Sequence, residues 1–208
     1  MIYLKNSEQV ALMREPNRIV KNALELVEQA VKPGVTTEYL DKIVYDYITK
    51  ENAYPSFLNY NGFPKSICAS IDDEVVHGIP SAKRVVHEGS IISIDIGAYK
   101  NGFHGDAART FAVGKISAEK QKLIDVTKQS FFEAAKIIKE GIRLGDIGHA
   151  IDSYVTSFGY STVKVLVGHG IGQNLHEMPD VPNYGKAGRG MRIVEGMALA
   201  IEPMVNMG

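Results

Sequence analysis

Between residues 17 and 31, Val20, Ala23, Leu24, Val27 and Val31 recur at helical spacing against a polar background, and Pro33-Gly34 closes the segment. The pattern predicts an amphipathic helix. Pro16 is expected to kink or divide whatever helix begins at Ser7. Thr37 is placed to cap a second helix that carries Leu40, Ile43, Val44, Tyr47 and Ile48. A polar and aromatic loop follows, from about Glu51 to Lys65. After it come a short apolar run from Ser66 to Ile71, the turn Asp72-Asp73 and the segment Val75-Val76-His77-Gly78-Ile79-Pro80.

Ser90 to Val113 reads as two strands joined at Asn101-Gly102, a dipeptide that tolerates the positive φ of tight hairpin turns. A two-residue turn there pairs Lys100 with Phe103, Gly97 with Asp106 and Asp95 with Ala108. Asp95 and Asp106 then become diagonal neighbours on one face, with Gly97 leaving space between them. Ile92, Ile94 and Ile96 take the other face, which makes this a core strand whose two carboxylates are not freely solvated. Paired carboxylates that are partly desolvated repel, and a shared proton or a cation relieves the repulsion. The hairpin alone is compatible with a metal pair and equally with two structural acids at a sheet rim.

The order of elements repeats. Lys32-Pro33-Gly34-Val35 and Lys139-Glu140-Gly141-Ile142 lie 107 residues apart, each between two helical patterns, and Tyr47-Ile48 recurs as Tyr154-Val155 at the same shift. Glu88 to Asp95 recurs as Glu195 to Glu202. His77-Gly78-Ile79 matches His169-Gly170-Ile171 at a shift of 92. The difference of 15 fits an extra loop in each half, near 51–65 in the first and 174–189 in the second. The chain is therefore expected to be one domain, 1–208, of two α+β half-repeats at about 7–113 and 114–208. Each half would present a His-Gly-Ile loop and an acid near a strand end. Placing the halves face to face would bring Asp95, Asp106, His169 and Glu202 towards one cleft.

Composition narrows the chemistry. A hydrophobic content of 45% in 208 residues supports a real core, and a net charge of −1 without a basic stripe argues against nucleic acid and anionic membrane as partners. No apolar run near the start is long enough for a signal peptide or a membrane span, so a cytoplasmic location is the expectation. Cys68 is the single cysteine, which excludes an internal disulfide and a cysteine-based zinc cluster. A metal would have to be held by Asp, Glu and His. Asp95, Asp106, His169 and Glu202 are an oxygen-rich set suited to hard or borderline divalent ions, with Asp106 able to bridge two. Such a pair of ions would serve the hydrolysis of an amide or ester.

His77 and His176 lie in segments flanked by Gly or Pro, where backbone turns can aim a side chain. Their functional reading is proton transfer or hydrogen bonding to a substrate carbonyl and its tetrahedral intermediate. His87, His104 and His149 are read as surface or locally bonded side chains. Tyr60, Phe63 and Cys68 are candidates for a small apolar pocket, and Cys68 serves equally well as a core residue.

These residues carry a family resemblance. Gly62-Phe63-Pro64-Lys65-Ser66, Val75 to Pro80, Ile94-Asp95, Gly102-Phe103-His104-Gly105-Asp106, Gly168-His169-Gly170-Ile171-Gly172, His176-Glu177-Met178-Pro179 and Ile201-Glu202-Pro203 occur in one order, and together they resemble the type I methionine aminopeptidases. The resemblance implies the pita-bread α+β fold, with an internal pseudo-twofold and helices on a curved, mainly antiparallel sheet. It implies two divalent metal ions (Co, Mn, Fe or Zn) on Asp95, Asp106, His169 and Glu202, with Asp106 bridging. It further implies substrate contact and proton movement at His77, stabilisation of the tetrahedral intermediate at His176, and a methionine pocket at Tyr60, Phe63 and Cys68. The reaction implied is removal of the initiator methionine from nascent polypeptides, by a monomer, with the ribosome as a candidate partner. The family also draws a second glutamate ligand from a strand beyond Glu202. The chain stops at Gly208, so the sequence-based expectation is a domain without its carboxy-terminal strands and a poorly active form. Two other readings stay open: a proline-directed peptidase of the same fold, such as an aminopeptidase P or prolidase, and a non-catalytic relative that binds peptides.

Overall fold

Helix α1 (Ser7–Ala30) opens the chain and passes Pro16 undivided in this computed structural model, which describes residues 1–208. The expected division fails on magnitudes. An interior proline costs about 3 kcal/mol, whereas burying Ile19, Val20, Leu24 and Val27 returns roughly 1.5–3 kcal/mol each. Helix α2 (Thr37–Lys50) is capped by Thr36 rather than Thr37. Thr36 has the extended backbone a cap requires, and its Oγ1 accepts the Tyr39 N–H at 3.2 Å. Thr37 is already helical and buried; its hydroxyl accepts from the Ser81 N–H at 2.9 Å and donates to the Ser81 carbonyl at 3.2 Å.

Strands β1 (Tyr54–Pro55), β2 (Ile67–Ile71), β3 (Ile91–Lys100) and β4 (Phe103–Ala112) form an antiparallel sheet. β3 is central: β1 and β2 pair along one edge and β4 along the other. Asn101 (φ +56°) and Gly102 (φ +84°) make the turn, and the register is the predicted one, Lys100 with Phe103, Gly97 with Asp106 and Asp95 with Ala108. Ile92, Ile94 and Ile96 are fully buried in a core shared with α1 and α2. Gly105 is required by close approach, because a Cβ there would stand 2.7 Å from the backbone of Pro16 and Asn17.

The remaining elements are α3 (Ala118–Ile137), α4 (Leu144–Ser157), β5 (Ser161–Thr162), β6 (Gly168–Gly170), β7 (Glu177–Val181), β8 (Leu199–Ala200) and β9 (Val205–Asn206). β6 pairs with both β7 and β8, and β5 pairs with β9, all antiparallel. Ala134, Ile147, Ile151, Val155 and Val181 are among the residues of a second core. Two compact units result, one of residues 8–120 with 173–175, the other of residues 1–7, 121–172 and 176–208. No helix is long and apolar enough to cross a membrane.

The backbone of each unit carries the 107-residue repeat. α2 and α4 begin and end 107 residues apart. The Gly34 N–H donates to the Val86 carbonyl and the Gly141 N–H to the Ile193 carbonyl, both at 2.9 Å. β1 pairs with Ala98 and Tyr99, as β5 pairs with Val205 and Asn206. One equivalence differs from the sequence expectation. Ser70 faces Ser93 and His169 faces Ala200, and Ser93 and Ala200 are repeat-related, so Ser70 holds the register position of His169. The match of His77-Gly78-Ile79 to His169-Gly170-Ile171 is not structural: His169-Gly170 lies in β6, while His77 lies in irregular chain beyond β2. The first half therefore has eight extra residues before β2, and the second eight extra after β6. Asp95 also sits within β3 rather than near its end.

Candidate functional site

In the first unit the polar face of the hairpin carries Ser93, Asp95, Gly97 and Tyr99 on β3 against Thr110, Ala108, Asp106 and His104 on β4. Asp95 and Asp106 are both half-buried. Gly97 does not leave space between them. A Cβ there would lie 2.7 Å from Ser56 and Phe57, and the Ser56 N–H donates to the Gly97 carbonyl at 2.9 Å, so the missing side chain makes room for that segment. Cys68 faces Asp95 across the β2–β3 ladder and is 7% exposed. Burial pushes its thiol up, and the charges of Asp95 and Asp106 push it further, against a hydrogen bond from the His77 N–H. Cys68 therefore stays protonated, and both carboxylates act on one spot. His77 has a left-handed backbone (φ +60°) and an exposed side chain. Tyr60 and Phe63 are half-buried on a turn closed by the Phe63 N–H on the Tyr60 carbonyl at 2.9 Å. His104 is held by Ser56 Oγ at 2.8 Å and by the Tyr99 ring, His149 by Ser153 on its own helix, and His87 is exposed.

In the second unit His169 is 7% exposed, and its Nε2 lies 3.1 Å from Glu202 Oε1. Nδ1 lies 2.8 Å from the Gly170 carbonyl, which can only accept, so Nδ1 carries a proton. In a neutral ring Nε2 then presents a lone pair towards a carboxylate, and a cation is the group that joins two such donors. An imidazole nitrogen and a carboxylate oxygen at this separation fit a borderline divalent ion. The His176 ring meets that of His169 edge-on, centroids 4.1 Å apart. The β6–β7 ladder slips between His169 and Gly170, which face Asp180 and Glu177, and such a bulge re-aims side chains. A pocket of about 370 Å³ is lined by Val167, Gly168, His169, His176, Glu177, Met178 and Asp180.

Sequence reading missed three residues that hold these groups. Asp41 of α2 is buried and accepts the N–H groups of Ser66 (2.7 Å) and Ile67 (3.2 Å) at the start of β2. Glu177, beside His176, forms a buried ion pair with Lys5 at 2.5 Å, the two side chains 2% and 5% exposed. Asn183 Nδ2 donates to the Glu202 carbonyl at 2.7 Å. None had a local signal except Glu177, which lies inside a motif already singled out.

The family described as Metallopeptidase family M24 matches residues 11–208. The methionine aminopeptidase of Clostridium acetobutylicum is 57% identical over 208 residues, covering all of this chain and 83% of its own. Methionine aminopeptidase 1 of Bacillus subtilis is 49% identical, covering all of this chain and 84% of its own. The crystal structure of methionine aminopeptidase from Rickettsia prowazekii superposes with a TM-score of 0.98 at 39% identity, covering all of this chain and 84% of that one. The fold is thus the pita-bread α+β class that the motifs imply. By motif, by identity over all 208 residues and by structure, this chain belongs to metallopeptidase family M24.

Proposed function

We propose that this chain is a metallo-aminopeptidase that removes the N-terminal methionine of nascent polypeptides by hydrolysis at a site of two divalent metal ions. The observation that carries the reading is its 57% identity, over all 208 residues, to a methionine aminopeptidase. The proposed ligands are Asp95, Asp106, His169 and Glu202, with Asp106 bridging, and their donor types suit Co, Mn, Fe or Zn. Bound ions would activate water at neutral pH and polarise the scissile carbonyl.

The chain's own residues supply binding and proton handling. His77 contacts the substrate and assists proton movement, from a backbone conformation that ties its N–H to the Cys68 sulfur. The His176 ring, set against His169, donates to the oxyanion of the tetrahedral intermediate. Tyr60, Phe63 and the protonated Cys68 hold the unbranched thioether of methionine, for which a polarisable apolar wall is the best partner. The enzyme acts as a cytoplasmic monomer of one catalytic domain, with the ribosome as the partner that presents its substrate.

The test offers the metal-loaded protein Met-Ala peptides and Xaa-Pro peptides that lack methionine. Release of methionine from the former, with little cleavage of the latter, is the expected result. Preferential cleavage of Xaa-Pro bonds would overturn it in favour of a proline-directed peptidase.

A further inference from the structure

Glu202 lies outside the strands of its unit. β8 ends at Ala200 and β9 begins at Val205, each strand is two residues long, and Pro203, which has no N–H, follows Glu202 directly. No strand includes Glu202 itself. Two residues on, the Met204 carbonyl accepts the Val163 N–H at 2.9 Å, and at Glu202 a side chain does the holding: Asn183 Nδ2 donates to the Glu202 carbonyl at 2.7 Å. Asn183 is fully buried, and its Oδ1 has no hydrogen-bond partner. Leaving a buried acceptor unmade costs about 1–3 kcal/mol, a penalty that an apolar side chain of the same size would avoid. The amide is therefore present for its donor. Its seat is rigid as well. Gly148 of α4 has no side chain where the chain around Asn183 packs; a Cβ there would lie 2.3 Å from the Tyr184 carbonyl oxygen and 2.7 Å from that of Pro182.

We propose that Asn183 is a positioning residue. It fixes the Glu202 main chain and so aims the Glu202 carboxylate at its neighbour His169, 3.1 Å away. The proposal rests on the reading of Glu202 and His169 as metal ligands. Partners that orient a ligand without touching the metal typically account for roughly 10–100-fold in metal affinity.

The test is calorimetric titration of the metal-free protein with Mn²⁺ or Co²⁺, together with its thermal unfolding, for Asn183→Leu, Glu202→Ala and the double variant. Asn183→Leu should bind metal roughly 10–100-fold more weakly, while its metal-free form unfolds within a few degrees of the parent. Combined with Glu202→Ala it should weaken binding no further, because both changes act through one carboxylate. Parent-like affinity in Asn183→Leu overturns the proposal, and so does full additivity in the double variant. Parent-like affinity in Glu202→Ala instead overturns the ligand assignment, and the proposal falls with it. Should Asn183→Leu not fold, Asn183→Ser, which keeps a polar group but lacks the reach, is expected to show the same loss, and unchanged affinity there overturns the proposal equally.

Discussion

Asp95 rises from the middle of a ten-residue strand paired along both edges, whereas Glu202, its repeat partner, lies in a four-residue gap between two-residue strands. The same plan of helix, short strand and return strand thus holds its acid by two different means. In the first unit the ladder itself is the support, and the eight extra residues before β2 lie in the segment that carries Tyr60 and Phe63. In the second unit the eight extra residues after β6 lie in the segment that carries His176, Glu177 and Asn183, and two of these tie the unit together through side chains. A ladder distributes its support over many bonds, while a side-chain tie concentrates it in one. Single substitutions should therefore weigh differently on the two units.

The largest effect is expected at Asp106. Its backbone is paired with Gly97 in the ten-residue ladder, so Asp106→Ala should leave the hairpin folded. Removing the proposed bridging carboxylate should nonetheless abolish detectable turnover and lower metal affinity by at least about 100-fold. Calorimetry that finds the parent's stoichiometry and affinity in this variant would refute the bridging assignment.

The next effect is on stability and belongs to the second unit. Lys5 reaches Glu177 across 172 residues of sequence; its stem runs over Gly172, and its Nζ also donates to the Tyr3 carbonyl at 2.8 Å. At the register position of His169 the first unit has only a neutral tie, the Gly78 N–H on Ser70 Oγ at 3.0 Å. Breaking a buried ion pair from one side leaves a charge without its counterion. Glu177→Leu should cost about 3–5 kcal/mol of unfolding free energy. The double variant Lys5→Met with Glu177→Leu should recover most of it, since apolar replacement of a whole buried pair is often neutral. Denaturant titration of the three variants decides the point. A double variant as unstable as the single one would mean that packing rather than charge sets the cost.

The contrast also explains what was readable in the residues alone. The hairpin register followed from Asn101-Gly102 and the alternation of Ile92, Ile94 and Ile96, because a two-residue turn fixes every pairing behind it. The repeat was legible for the same local reason, through its turns and helix stripes. Pro16 misled because a local penalty was weighed without the tertiary burial that exceeds it. His77 was matched to His169 on three identical letters, whereas Ser70 holds that position in the ladder, and pairing between distant strands leaves no mark in one strand's sequence. Lys5 with Glu177 and Asn183 with Glu202 were invisible because each is one polar group meeting one distant partner, with no period to betray it.

The smallest effect sharpens the same comparison at a third place. Asp41 on α2 holds the start of β2, and the residue 107 positions later is Gly148, which has no side chain at all. The first unit thus buries a carboxylate where the second lets backbone pack. Burial raises the Asp41 carboxyl from its ordinary value, outweighing the lowering by the Ser66 N–H, the Lys65 charge and the Ile67 N–H. The folded protein therefore holds this proton more tightly than the unfolded chain does. The stability so contributed is complete below the unfolded value of about 3.9 and is lost as pH rises through the higher folded value. Asp41→Asn has no such proton. Its Tm, measured metal-free against pH from about 3.5 upward, should gain on the parent's across that window, by roughly 2–4 °C per kcal/mol at this chain length. Curves that stay parallel throughout would show that the carboxylate is solvated enough to ionise normally, and that the two units differ here in packing alone.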